Sequence, residues 1–517
     1  MKRWSALVFL VAFAVALALR CPQLAVRPLH SDEAVNATKL ATLWETGRYQ
    51  YDPHEYHGPT LYYFSLPLLR LSPAENSSQL SEATLRTVTV GFGVGLILLL
   101  LLLSDGLGSA AVAWAAVFLA VSPAMVFYSR YFIHEMPLLF FTLLTLAAGW
   151  RYTQSRRLSW ALLAGAGLGL MWATKETFVL SVAAALFAWV MERGWERWRV
   201  TPKPQRSKPN GRHFALALLA AVGVAQLFFS SFLSNPHGPV DSLRTYLPWL
   251  DRAGGASPHL HPWSFYFERL LWFHPAKGPV WSEAAIFILA MVGGVAAFST
   301  NRTFAFRPRL ARLLVFYTLM LTAIYSVIAY KTPWCLLNFW LGMILLAGIG
   351  AAALVRLCRS QLRKTLMMAA LVVAAVHLGW EARLAAVEFA SDPRNPYVYA
   401  QTTDGCRELV RRIEAIASVT GTGTATVVKV ITPESCWPLP WYLRGFKNLG
   451  WWETLPDDPF APIILVSAKL GAALDEKSNR AYLMTGFYEM RPGVFLELYV
   501  ERGLWEKFTA TLPRDRP

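Results

Sequence analysis

Three stretches, "WSALVFLVAFAVALAL" (4–19), "VGFGVGLILLLLLL" (90–103) and "LLVFYTLMLTAIYSVIAY" (313–330), are apolar almost without interruption. A helix of that kind has no polar face to turn toward water, and crossing a bilayer takes roughly 20 such residues. With 55% of the chain hydrophobic, 16% charged and a mean hydropathy of +0.35, the whole molecule needs a solvent other than water. The expectation is a polytopic α-helical membrane protein with spans near 4–20, 87–103, 109–128, 135–150, 158–173, 177–192, 214–233, 281–299, 312–330, 334–355 and 365–385, about eleven in all. The first run is not read as a cleaved signal peptide. Ala18-Leu19-Arg20 before Cys21 fits neither a small-residue nor a lipoprotein-type cleavage site, and more spans follow.

The net charge of +16 raises the question of nucleic acid, and its distribution answers it. The basic clusters fall in alternate connections: Lys2 and Arg3; Arg151, Arg156 and Arg157; "ERGWERWRVTPKPQRSKPNGR" (192–212); Arg302, Arg307, Arg309 and Arg312; Arg356, Arg359, Arg363 and Lys364. Placing that set on the cytoplasmic side satisfies the positive-inside rule, so the basicity is a topology signal and calls for no nucleic-acid partner. The expected location is the cytoplasmic (inner) membrane, with the amino terminus inside and the carboxyl terminus outside.

Two outer connections are long. Residues 21–86 hold "AVNATKLATLWETG" (34–47), with apolar and polar faces at helical spacing, and "YDPHEYHGPTLYYFSLPLLRL" (51–71), which suits short helices lying on the membrane surface. Residues 234–280 are rich in proline and aromatics and read as a structured loop along the interface. Beyond 385 the pattern changes. "DGCRELVRRIEAIA" (404–417) is an amphipathic helix, while "ATVVKVIT" (425–432), "PIILVSA" (462–468) and "GVFLELYVE" (493–501) have strand length, so 386–517 forms a small extracytoplasmic α/β domain after the 1–385 membrane module. Cys406 and Cys436 lie in this outer part, and either one bridge or two thiols fits.

Charged residues gather at the outer span ends: Asp32 and Glu33 after the first span, Arg130, His134 and Glu135 in "YSRYFIHEMP" (128–137), Lys175 and Glu176 in "TKET" (174–177), and Lys331 in "AYKTPW" (329–334). Taken one at a time, each reads more simply as a snorkelling cation or its partner. Together, Arg130, Lys175 and Lys331 run against the outer-loop trend, and they fit a site for a lipid phosphate or pyrophosphate, with a carboxylate nearby to deprotonate an acceptor. In "HEYHGP" (54–59), His54 and His57 flanking Glu55, with His30 nearby, suggest acceptor contacts or a divalent ion held by Asp32, Glu33 and His57; interfacial histidines capping a turn is the plainer reading. Tyr62 anchors the loop in the headgroups, and His134 orients Glu135 or faces water.

The acidic pair after the first span, the Arg130-to-Glu135 loop, the long first outer loop and the outer C-terminal domain resemble the GT-C glycosyltransferases. The protein O-mannosyltransferase and lipid A aminoarabinose transferase branches are the most similar. "SDEA", "YHGPTLYYFSLPL", "YSRYFIHEMP" and "YKTPWCLLNF" also resemble bacterial and archaeal members associated with flippase activity. The resemblance spans about residues 1–385. It implies an inverting transfer of a sugar from a polyprenyl-phosphate donor to a protein, lipid or glycan acceptor at the outer face, among membrane lipids. It also implies Asp32 as general base, Glu33 as its companion for acceptor or metal, Arg130 and Lys331 at the donor phosphate, and Glu135 as organiser. Glu135 stands where the mannosyltransferase branch has aspartate, and the aminoarabinose branch's loop motifs are not matched. A lipid-linked glycan flippase or a non-catalytic part of a glycan assembly complex are the other readings. A transporter tends to place polar groups near the membrane midplane, whereas these spans are clean there apart from Gln226.

Overall fold

The computed structural model describes residues 3–54, 57–199, 210–249, 259–300 and 304–513. Every apolar run named above is helical: α1 (Arg3–Arg20), α4 (Glu82–Leu99), α5 (Ser109–Val121) with α6 (Pro123–Ser129), α7 (Glu135–Ser155), α8 (Leu158–Trp172), α9 (Phe178–Arg199), α10 (Gly211–Phe229), α11 (Ala284–Ala297), α12 (Pro308–Val327), α13 (Leu337–Leu357) and α14 (Gln361–Arg383). Between α1 and α4 lie α2 (Ser31–Thr46) and α3 (Thr60–Leu71), two short helices within the long connection 21–86.

Among the described residues, seven helices are long and apolar enough to cross a bilayer, or eight with the bent pair α5–α6 as one span. The count falls below the expected eleven because α8 and α11 have only 15 and 14 residues, and α7 carries Glu135 and Arg151 within its length. The chain is a multi-pass helical membrane protein.

The 61° bend between α5 and α6 has a local cause. Pro123 cannot donate to the ladder, so the helix restarts there, and Ser122 caps it by accepting from the Met125 N–H. The polar groups released by the break are met by Glu283, buried at the start of α11: its carboxylate accepts from Ser122 Oγ, from the Ala124 N–H at 2.9 Å, from Trp340 Nε1 at 3.1 Å and from the Tyr397 hydroxyl at 2.6 Å. Close helix packing elsewhere uses small residues. A Cβ on Gly293 would fall on the Leu346 carbonyl and one on Gly350 on that of Leu289, so α11 and α13 approach backbone to backbone.

After α14 a buried connector leads to helix α15 (Asp404–Ser418) and a five-stranded sheet ordered β2-β1-β3-β5-β4. Its strands are β1 (Val428–Ile431), β2 (Leu449–Trp452), β3 (Ile463–Ser467), β4 (Tyr482–Arg491) and β5 (Val494–Glu501). β1 pairs parallel with β2 and β3, and β5 pairs antiparallel with β3 and β4. The three expected strands are β1, β3 and β5; the edges β2 and β4 were not expected. α15 covers the sheet with Leu409, Val410, Ile413 and Ile416, all buried. All five cysteines are free thiols, so no bridge joins Cys406 to Cys436.

This part is stitched to the first outer connection by arginines that donate to backbone carbonyls. Arg407 reaches those of Ala25, Val26 and Arg27 and the carboxylate of Glu82, while Arg444 reaches Ser77, Ser78 and Leu80. Arg491 donates to Ser31 Oγ, next to Asp32, at 3.4 Å.

Candidate active site

His30 starts α2. Its Nδ1 accepts from the Asp32 N–H at 3.1 Å while the Glu33 carboxylate accepts from its own N–H at 3.0 Å, a capping box that fixes how both acids leave the helix. The two then point to different solvents. Asp32, Val35, Asn36 and Lys39 follow the i, i+3, i+4, i+7 spacing of one helix face and line a cavity of about 400 Å³. Glu33, Ala34, Ala37, Leu40 and Ala41 form the opposite, buried face.

The rest of the lining comes from helix ends and the segments joining them. Ile133 and Glu135 stand at the start of α7, and Lys175, Glu176 and Thr177 lie between α8 and α9. Tyr325, Ile328, Tyr330, Thr332, Trp334 and Cys335 come from the junction of α12 and α13. His54, His57 and Tyr62 of the first outer connection complete one side, and Leu180 and Trp249 another. Segment 57–60 runs beside 173–175 like a short antiparallel pair: the Gly58 N–H donates to the Thr174 carbonyl at 3.0 Å and the Thr60 N–H to that of Ala173 at 3.2 Å. Tyr62 donates to Asn36 Oδ1 at 2.9 Å, and Asn36 donates to the Phe132 carbonyl, so α2, α3 and the α6–α7 turn are locked together under the cavity.

The ionic pattern is built of pairs. Lys175 Nζ is paired with Glu135 Oε1, both side chains buried. Burial alone would pull that ammonium down, and Glu135 outweighs it, so Lys175 titrates above the ordinary lysine range. His57 Nδ1 lies 3.3 Å from Glu176 Oε2, and despite burial that neighbour holds the Glu176 carboxyl below its usual range. Burial, partly opposed by Asp52, brings Lys39 down to about 8. Asp32 differs from the other acids, with a side chain half exposed and His30 Nδ1 3.8 Å away.

Seven of the residues singled out from the sequence meet here: Asp32, His54, His57, Tyr62, Glu135, Lys175 and Glu176. Five do not line the cavity. Glu33 is fully buried, held by Arg86 through two hydrogen bonds of 2.8 and 2.7 Å and by Arg27 at 3.7 Å, and it accepts the Phe132 N–H at 2.9 Å. Burial favours its neutral form, but the two arginines win and hold the carboxyl at about 2. Arg130 donates to the carbonyls of Arg20, Pro22 and Gln23 and so caps the end of α1. Lys331 Nζ donates to the His261 carbonyl at 3.1 Å and to that of Ile328. The expected meeting of Asp32 with Arg130 and Lys331 is thus replaced by one with Lys175 and Lys39. Both displaced cations follow helix ends, where unsatisfied carbonyls compete for them. His30 is the α2 cap. His134 is fully buried behind the lining, with Nε2 on the Gly58 carbonyl at 3.0 Å, and burial drives it well below the usual histidine range. Glu55 lies outside the described residues. Glu33 sits apart from Asp32 and His57, and among the described residues no three His, Cys, Asp or Glu side chains are placed to hold a metal ion.

Lys39 and Asn36 were missed. Lys39 was legible in principle: it stands seven residues after Asp32, on the same helix face.

The fold that carries this cavity has counterparts among solved structures. ArnT from Cupriavidus metallidurans in the apo state superposes with a TM-score of 0.63 at 13% identity, covering 96% of this chain and 97% of that one. The same protein bound to undecaprenyl phosphate gives 0.58 at 14%, over 96% and 98%. The chain has the GT-C fold. That fold also relates it to the oligosaccharyltransferase of Archaeoglobus fulgidus, at a TM-score of 0.50 and 13% identity over 90% of this chain and 68% of that one. Within the GT-C chain, residues 79–225 match the family described as dolichyl-phosphate-mannose-protein mannosyltransferase. No curated protein matches it in sequence.

Proposed function

We propose that the chain is an inverting glycosyltransferase that moves a sugar from a polyprenyl-phosphate donor to an acceptor at the outer face of the cytoplasmic membrane. The observation that carries this reading is the cavity in which Asp32, half exposed, and Lys175, buried on Glu135, are both presented to the same space. Asp32 takes the proton of an acceptor hydroxyl or amine as that group attacks the anomeric carbon. The bond from that carbon to the phosphate oxygen breaks, and the departing polyprenyl phosphate takes the electron pair. Lys175 and Lys39 stabilise the phosphate as its charge rises. Leu180, Tyr325, Ile328 and Trp334 offer an apolar wall for the first isoprenoid units. The fold supports the reading by its likeness to ArnT, which binds undecaprenyl phosphate in one structure. In this arrangement residues 21–86 and 386–517 lie outside and the basic connections inside.

The test is to offer purified protein a panel of polyprenyl-phosphate sugars and to look for glycosylated product and released polyprenyl phosphate by mass spectrometry. Release of the lipid phosphate with transfer of the sugar supports the proposal. Movement of intact lipid-linked sugar across vesicles without cleavage would establish the flippase reading in its place.

A further inference from the structure

Tyr399 lies in the connector between α14 and α15, where its hydroxyl meets His259 Nδ1 at 2.7 Å and His261 Nε2 at 3.1 Å. Those histidines flank Leu260, which bridges antiparallel to Tyr330. The Lys331 N–H donates to the His259 carbonyl at 2.8 Å and the His261 N–H to the Ala329 carbonyl at 3.0 Å. Tyr330 lines the cavity, together with Ile328, Thr332 and Trp334 on either side of it. The connector is itself held fast. Tyr397 reaches Glu283, Gln401 donates to the Pro28 carbonyl at 2.9 Å, and Thr402 donates to that of Leu29 at 2.7 Å.

We infer that Tyr399 is a positioning residue: by bridging His259 and His261 it clasps the second outer connection to segment 329–331 and so holds the cavity wall in its donor-binding shape, but only while at least one of the two histidines is uncharged. This rests on the proposed transferase reading only for its effect on the donor. A phenol has one proton to give and lone pairs to receive. With one ring nitrogen accepting and the other donating, Tyr399 satisfies both histidines. When both rings are protonated, both are donors, the tyrosine proton has no acceptor, and two cations flank one oxygen. The surroundings bear on this from every side. Asp32 and His30 on α2 act on His259, and Arg269 with Lys331 acts on His261. Burial lowers both histidines below the ordinary value, with Asp32 partly offsetting it at His259 and the neighbouring cations adding to it at His261. The clasped form therefore binds fewer protons than the open one. Its stability is complete above about 6.5 and is lost as pH falls below that, by about tenfold per pH unit for each proton taken up.

Hydrogen exchange on the full-length protein tests this without needing any sugar transfer. Protection of the His261 and Lys331 amides, corrected for intrinsic rates, is expected to fall about tenfold or more between pH 7.5 and 5.5. Tyr399→Phe, which keeps the ring, is expected to show the low-pH protection already at pH 7.5 and to lose the pH dependence. In an active preparation it raises KM for the lipid donor more than it lowers kcat. Protection that is unchanged by pH in the wild type, or equal to wild type in Tyr399→Phe at pH 7.5, overturns the proposal. A working clasp in a protein that transfers no sugar overturns the transferase reading alone.

Discussion

Successive side chains on a helix leave about 100° apart, so Asp32 and Glu33 cannot share one environment. The sequence places them side by side and treats them alike; the packing separates them. Asp32→Asn keeps the shape and removes the proposed base, and is expected to lower kcat by about a hundredfold or more with normal abundance in the membrane, read by product formation and immunoblot. Glu33→Gln leaves Arg86 and Arg27 buried against a neutral group, at a cost of about 3–5 kcal/mol. It is expected to lower the thermal midpoint and folded yield in detergent before any catalytic effect can be measured. The pH dependence follows with its sign. Glu33 sits at about 2 in the folded protein against about 4.3 in a loosened chain. Its contribution is therefore complete above about 4.3 and is lost as pH falls from there through 2, and acid unfolding curves of wild type should steepen in that window.

At the scale of elements, the cavity depends on short backbone pairings more than on helices. Gly58 faces the Ala173 carbonyl so closely that a Cβ would overlap it. Gly58→Ala must push segment 57–60 away from 173–175, separating His57 from Glu176 and shifting Lys175. Transfer activity is expected to fall at least tenfold, with a rise in KM for the lipid donor, while the helix content measured by circular dichroism stays within a few per cent. Such contacts also mark where reading from sequence stops. Helix runs and strand β3 announce themselves by runs of apolar residues, and β1 by apolar residues broken only at Lys429. β2 ("LGWW") and β4 ("YLMTGFYEMR") are half-buried edge strands, and a Gly or a charge breaks their alternation. That Asp32, Lys175 and Glu135 would gather in one place was legible because charge at a span end is costly. That Arg130 and Lys331 serve helix-end carbonyls was not, because the same cation satisfies a carbonyl or a phosphate, and only the fold says which is within reach.

For the whole molecule, the orientation proposed from the alternating basic connections can be tested at the cysteines. Cys21, exposed just after α1, is expected to react with a membrane-impermeant maleimide on intact cells or right-side-out vesicles. Cys358, between α13 and α14, is expected to react only after permeabilisation. The opposite pattern would invert the topology and move the cavity to the cytoplasm.

The connector that carries Gln401 and Thr402 grips Pro28 and Leu29 across 373 positions of sequence, immediately ahead of the helix bearing Asp32. During synthesis the amino-terminal end of that grip waits until residues 401 and 402 have left the ribosome. A nascent or truncated chain that stops short of Gln401 and Thr402 thus lacks the strap that seats α2, and Asp32 is then presented from a helix without its far anchor.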